Sequence, residues 1–484
     1  MARKGRSSSG GRRTSSKERR RATEDTAATR ASASDEELLL AALERGDDSF
    51  ETGRQLVTFK EGAVEEGIRA LGALGALGLS VADSRDFEDQ AVSLESVGDA
   101  DTVVFREIGV ALLGGAAAQE RGLGVQTEIA ADSPYESINP EYFVFAESGS
   151  GQYYGFSQAE TNSSEYLRGF AQAAEGGDTG EYLRGFLHAV QAIATDLHGG
   201  APAQLEAQEE VQEEALVLSA TWGLNACKVP PSGRSGVEIR VAVLGTGLDL
   251  GHPDFAGRPV VSNTFVGQPV QDLNGHGTHM IGTACGPKSP AGSIPRYGIG
   301  FRSSIFVGKV LTDSGSGTQA GILNGMNWAV ANRCEVIYAP VASPSPVQPA
   351  YTAAGQAALN RGLLMIAGSS SAGSTVGAPA NSPTIMSVAS LDPNLSPSLF
   401  SPSGKIEIAA PGRDVFSSWM RPVRYKTISG LATAGAHVAG CAALWAQTSP
   451  NLRGMNLWRK LQATARSLPF LATRVGAGLV QAPP

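Results

Sequence analysis

EIRVAVLG, residues 238–245, contains the apolar run Val241–Leu244 closed by a glycine, and it opens a series that decides the fold. SIFVGKVL (304–311), CEVIYAPV (334–341), LLMIAG (363–368), TIMSVAS (384–390) and IEIAA (406–410) repeat its character. AGILNGMNWAVANR (320–333), AALNRG (357–362) and AGAHVAGCAALWAQ (434–447) are interleaved with them and carry helix-like spacing. A strand with one wet face alternates polar and apolar residues, and these runs do not alternate. Strands of this kind separated by helices predict an α/β domain over residues 219–484, with a doubly wound parallel sheet buried on both faces. Ligands of such folds gather at the carboxyl ends of the strands, so chemistry is sought just after each run.

Upstream the texture changes. RQLVTFK (54–60) alternates like a strand, AVEEGIRALGALGALG (63–78) is spaced like a helix, and AVSLES (91–96) and DTVVFREIGVALL (101–113) read as further strands. This order predicts a small α+β module over residues 51–114, of the split β-α-β type. Its helix places glycine at 72, 75 and 78 and must rely on packing, since each glycine costs about 1 kcal/mol relative to alanine. Residues 115–218 read as a mixed, mainly helical insert, with EYLRGF at 165–170 and again at 181–186 and an acidic run at 203–216. Residues 1–50 read as a disordered basic arm. Its first 30 residues hold 10 Lys and Arg against 3 Asp and Glu, which leaves a net −15 on the rest of a chain whose total is −8.

Composition narrows the classes. A hydrophobic fraction of 42% and a charged fraction of 18% over 484 residues describe core-forming domains, not a disordered or fibrous chain. Cys227, Cys285, Cys334 and Cys441 are far apart and form no C-x-x-C pair, which excludes a zinc module and a disulfide-dense scaffold and fits a reduced compartment. No stretch nears the roughly 18 apolar residues of a membrane span. The opening residues contain no apolar run of the kind a secretory leader needs, which reads as cytoplasmic residence. The first 30 residues offer no aromatic side chain for stacking on bases, so nucleic acid is not among the expected partners.

The strongest local signal is NGHGTH (274–279), in which Gly275 and Gly277 bare the backbone on either side of His276. It stands in an ordered set: ATWGLN (220–225), VAVLGTGLDLGHPDF (241–255), NGHGTHMIGTACG (274–286), the run at 298–332, STVGAPANSPTIMSVAS (374–390), IEIAAPGRDVFSS (406–418), SGLATAGAHVAGCAALW (429–445) and GAGLVQA (476–482). In this order and spacing the chain resembles the subtilisin-like serine proteases over nearly all of residues 221–484. The module at 51–114, with LVTFKEG first and FREIGVALL last, resembles the family's inhibitory propeptide. The resemblance implies a Ser-His-Asp triad, an oxyanion-binding asparagine and an edge strand that pairs with an extended peptide.

Matched residue by residue, three of the four working positions depart from the family. His276 stands at the general base. Gly245 stands where the family has the aspartate of D-T-G or D-S-G, Ala432 at the nucleophilic serine, and Ser369 at the asparagine of A-A-G-N. Ala432 has no oxygen with which to form an acyl-enzyme. Gly245 has no carboxylate to fix the tautomer of His276 or stabilise its imidazolium. Ser369 lacks the amide N–H that would reach an oxyanion, a donor worth about 3 to 4 kcal/mol. The groove departs as well: Pro340, Val341 and Ala342 follow VIYA where the family has S-L-G, and Pro340 has no N–H to offer a bound peptide.

These departures predict a pseudoprotease, a catalytically inactive binding or regulatory protein. Its partner would be a peptide segment, an active protease of the same family, or that protease's inhibitor. Two other readings stand beside it. One is a serine-type endopeptidase with a displaced nucleophile, Thr433 being the nearest hydroxyl although one helical step, about 100°, turns it from His276. Ser429 lies outside the helix, and Asp249 and Asp272 match acidic positions the active family already keeps. The other is a structural scaffold that works through residues 115–218. No cofactor is called for, and no acidic cluster of the kind that holds calcium is carried over.

Overall fold

The computed structural model describes residues 31–35, 37, 38, 42, 50–73, 80–92, 94–97, 100–114, 132–146, 220–369 and 375–484. The repeats at 165–170 and 181–186, the acidic run at 203–216 and residues 1–30 lie outside them.

The N-terminal module begins with strand β1 (Glu51–Phe59) and helix α1 (Val64–Ala73). Strands β2 (Val81–Asp83), β3 (Thr102–Phe105) and β4 (Val110–Leu113) follow, and β5 (Tyr135–Ala146) closes the series. The apolar run at 101–113 is therefore two strands, turned back at Gly109 in the left-handed region (φ 67°) and paired antiparallel. Residues 91–96 are not the predicted strand: Leu94–Val97 form a 3₁₀ turn. The cause is tertiary. Val92 and Leu94 are buried against the larger domain, and the Val92 carbonyl accepts from Asn324 Nδ2 instead of from a neighbouring strand.

Two further expectations are corrected. The arm predicted to be disordered up to residue 50 contains packed residues, with Ala31, Ala33, Leu38 and Ala42 all buried. Within 115–218 the described residues 132–146 carry a twelve-residue strand where the sequence suggests a mainly helical insert. That strand pairs antiparallel with β1 over one part of its length and with the larger domain over the other.

The larger domain is the predicted doubly wound sheet. It starts with helix α2 (Trp222–Ala226) and strands β6 (Arg240–Gly245) and β7 (Val260–Thr264), then helix α3 (His276–Cys285). Next come β8 (Ser304–Lys309), β9 (Ser316–Thr318), α4 (Gln319–Ala331), β10 (Val336–Ala339), β11 (Val341–Ala342), α5 (Pro349–Asn360) and β12 (Leu364–Gly368). The chain ends with β13 (Met386–Leu391), β14 (Ile408–Pro411), β15 (Val415–Ser418), β16 (Tyr425–Ile428), α6 (Leu431–Thr448), α7 (Gly454–Thr464) and α8 (Ala472–Val475).

Seven of these strands form one parallel sheet in the order β14-β13-β12-β10-β6-β8-β7. Helices α3 and α6 share a buried apolar cluster with one face, and α4 and α5 share a second cluster with the other. The module docks outside α4 and α5, where the Glu107 N–H donates to Asn327 Oδ1 (2.8 Å) and the Glu107 carboxylate accepts from Arg361 (2.8 Å). Strand order reverses between β6 and β10. In an open sheet of this kind that switch point is where a crevice forms.

Candidate functional site

The crevice holds every position singled out from the sequence. Gly245 ends β6, Pro340 follows β10, Ser369 follows β12, His276 opens α3, and Ala432 is the second residue of α6. Strand ends fix the first three, and packing of α3 against α6 brings the helix starts together. All are buried; His276 and Ala432 are each 1% exposed.

The loop before His276 is shaped by one carboxylate. Asp272 Oδ1 accepts from the backbone N–H groups of Asn274 and Gly275 (both 2.9 Å) and from Thr246 Oγ1 (3.0 Å), while Oδ2 accepts from the Thr278 N–H (2.9 Å) and hydroxyl (2.7 Å). It thereby satisfies one orphan donor at the start of α3, the Thr278 N–H, and sets a negative charge at the positive end of the helix dipole. Gly275 adopts φ 96°, and a Cβ there would lie 2.3 Å from the Trp419 ring. At Gly277 a Cβ would lie 2.3 Å from the Gly247 carbonyl oxygen. The two glycines beside His276 are thus required by the backbone.

The support beneath the corner is equally complete. Thr246 Oγ1 accepts from the Gly277 N–H (2.8 Å), tying β6 to α3. Lys309, fully buried, donates to the Thr246 carbonyl (2.6 Å) and Asp313 (2.7 Å). Asp249 is buried, which alone would raise its pKa. The guanidinium and backbone N–H of Arg421, with Gln271 and the Gly251 N–H, outweigh this and hold the carboxyl well below its usual range. Asp249 and Asp272 therefore serve neighbouring loops, with their carboxylates engaged by backbone and side-chain donors.

Gly245 and Ala432 contribute little beyond backbone to this corner. A Cβ at Gly245 would stand 3.5 Å from Pro340 Cγ and 3.7 Å from Gly277 Cα, ordinary contacts, so the glycine is not demanded by space at Cβ. Ala432 contributes its carbonyl, which accepts from the Tyr338 hydroxyl. Tyr338 is a site residue that the motifs do not point to. Its signal in the sequence is chemical: a tyrosine inside a buried run needs a partner for its hydroxyl. Gly435 makes room for its ring, because a Cβ there would lie 2.6 Å from Tyr338 Cε2.

Two of the neighbouring hydroxyls, those of Thr433 and Ser429, are engaged elsewhere. Thr433 Oγ1 lies 2.9 Å from the Gly412 carbonyl oxygen and 2.8 Å from that of Gly430, so its one proton is spent on backbone. Ser429 Oγ accepts from the Asp414 N–H (3.0 Å). Ser369 Oγ is fully buried and has no hydrogen-bond partner among the described residues. Two further histidines flank the site, and desolvation lowers both: His279 to about 3 and His437 to about 4. His279 Nε2 faces the Val415 carbonyl (3.0 Å) and His437 Nδ1 the Thr433 carbonyl (2.8 Å), so both serve as neutral donors.

The groove beside this corner is filled by the chain itself. Val341 pairs with Ala146 and Ala342 with Phe145, antiparallel. On the other side Thr318, Gly317 and Ser316 pair with Phe143, Val144 and Phe145, and the Ala146 N–H donates to the Gly315 carbonyl (2.8 Å). Strand β5 is therefore the middle member of a three-stranded layer, β9-β5-β11. Pro340, predicted to cost one ladder bond, sits between β10 and β11, outside either pairing.

With this geometry in view, comparison with known proteins is decisive. The Subtilase family profile matches residues 236–478. This chain belongs to the subtilase family. An alkaline protease of Alkalihalobacillus alcalophilus is 34% identical over 288 residues, covering 58% of this chain and 73% of that protein. Subtilisin Savinase of Lederbergia lenta is 35% identical over 271 residues, covering 54% of this chain and 97% of that protein. Among solved structures, a cold-adapted subtilisin-like serine proteinase is 28% identical, with a TM-score of 0.47 over 55% of this chain and 99% of that one. The subtilase match thus lies in the doubly wound domain. Among the described residues no group of three or more His, Cys, Asp or Glu is placed to hold a metal, and no helix is long and apolar enough to cross a membrane.

Proposed function

We propose that this subtilase is a pseudoprotease, a non-catalytic binding or regulatory protein that keeps its propeptide-like module because it cannot cut itself. The observation that carries this reading is Ala432 at the start of α6. The helix that presents the nucleophile in the family presents a methyl group here, and the adjacent Thr433 hydroxyl is held by the Gly412 and Gly430 carbonyls. Gly245 and Ser369 support it, since neither supplies the carboxylate or the amide that peptide hydrolysis uses.

Occupation of the groove by β5 refines what such a protein binds. A partner, whether a peptide segment, a protease of the same family or that protease's inhibitor, either displaces β5 or meets another surface. The rival reading, an endopeptidase using Thr433, requires that hydroxyl to leave two carbonyls and turn toward His276. The purified full chain, treated with a fluorophosphonate probe, is expected to remain unlabelled and to keep its intact mass. Labelling that is lost in both His276→Ala and Thr433→Ala would replace this reading with the endopeptidase.

A further inference from the structure

Strand β5 has two faces, and the larger domain covers one of them. Side chains alternate along a strand. Val144 and Ala146 enter the cluster built from α4, β10 and β11, while Phe143 and Phe145 belong to a separate cluster on the opposite face. Those two rings are nevertheless only 4% and 5% exposed. Their cover comes from the chain upstream of the module. Ala33, Leu38 and Ala42 form one apolar cluster with Phe143, Phe145 and Ala342, and Phe50 packs on its margin with its ring centroid 6.1 Å from that of Phe145.

This covering segment has local order of its own. The Ser34 N–H donates to Glu37 Oε2 (2.9 Å) and the Glu37 N–H to Ser34 Oγ (3.2 Å), a reciprocal capping box that starts a helical turn and carries Leu38 onto the phenylalanines. It is also tied to the strand below by a charge. Arg54, fully buried, grips Glu141 of β5 through Nε (2.6 Å) and one terminal nitrogen (2.9 Å). Its other terminal nitrogen donates to the carbonyls of Ala31 (3.1 Å) and Ala33 (3.4 Å). One guanidinium thus holds the groove strand and the segment that lies over it.

We propose that the segment carrying Ala33, Leu38 and Ala42 is a strap that keeps β5 seated in the groove, with Arg54 as its latch. Released, the strap uncovers two phenylalanine rings and loosens β5 from β9 and β11, freeing backbone edges that an extended peptide can pair with. The inference concerns only what occupies the groove and does not depend on whether His276 retains any chemistry.

Hydrogen exchange on the full chain tests it. Leu38→Asp is expected to speed exchange of the Phe143 and Ala146 amides by about tenfold or more, with Val336–Ala339 of the central sheet unchanged. Leu38→Ala is expected to give a smaller increase at the same amides. Unchanged exchange at Phe143 and Ala146 in both variants would overturn the proposal. If Leu38→Asp loosens the central sheet as well, Leu38→Ala decides: faster exchange confined to β5 sustains the strap, and none removes it.

Discussion

At the corner built by Gly245, His276, Ser369 and Ala432 most side chains are small or absent, while a few residues away the groove is packed with side chains that each serve several partners. Gly245, Ala432 and Ser369 give the corner little beyond backbone and one hydroxyl that has no partner among the described residues. Glu141 in the groove strand, by contrast, accepts from Arg54, from Thr52 and from the Ala320 N–H at the start of α4. The difference separates two kinds of constraint. A residue whose use is chemical can be lost without cost to the fold, whereas one that satisfies buried donors cannot. Asp272 makes the point inside the corner itself, since two loops and a helix end depend on its carboxylate.

The largest effect should follow from striking the groove. Glu141→Ala strands the Arg54 guanidinium in a site with no exposure, and breaking a buried pair in this way costs about 3–5 kcal/mol. Denaturant unfolding of the full chain should register that loss, and Arg54→Met with Glu141→Leu together should cost less than Glu141→Ala alone, because no charge is left unpaired. A cost below about 1 kcal/mol for the single change would show that the groove is no more constrained than the corner.

An effect of similar size, shared by the layer beneath the corner, depends on pH. His279 and His437 are buried and neutral, with desolvation lowering them to about 3 and about 4. Below the ordinary value near 6.5 the unfolded chain takes up a proton at each site and the folded chain does not. Stability from these groups is therefore full above pH 6.5 and falls as the solution is acidified toward the folded values. By pH 5 the two together should cost about 4 kcal/mol. Thermal or urea midpoints compared at pH 7 and pH 5 would show it, and equal midpoints would mean that these imidazoles are hydrated.

How much of this is legible in the sequence follows from the same division. The buried runs at β6, β8, β10, β12, β13 and β14 announce the sheet because a strand covered on both faces has no polar side to disguise it. The corner is legible as well, since its motifs are contiguous and locate Gly245, His276, Ser369 and Ala432 directly. Strand β5 is not. YESINPEYFVFA carries a proline and two glutamates, and nothing local says that Glu141 will be buried beside an arginine 87 positions away in sequence. Only its last residues, YFVFA, form a short aromatic and β-branched run of strand character. The strap is hidden for a like reason: Ser34 and Glu37 spell a capping box, but the basic composition upstream suggests a solvated tail.

The smallest structural effect and the sharpest functional contrast come from restoring the corner. Ala432→Ser adds one oxygen at a helix start and should change stability by no more than about 1 kcal/mol. It should not produce labelling by a fluorophosphonate, because Gly245 cannot hold the imidazole of His276 in its working tautomer and Ser369 cannot replace the missing amide. Adding Gly245→Asp and Ser369→Asn supplies both, and the 3.5 Å that would separate a Cβ at 245 from Pro340 leaves room for the first atom of the new side chain. The triple variant is then expected to react with the small probe yet leave casein uncut, since β5 still fills the space an extended substrate needs. Casein cleavage by the triple variant would show that the groove opens readily and that the corner alone had silenced the enzyme.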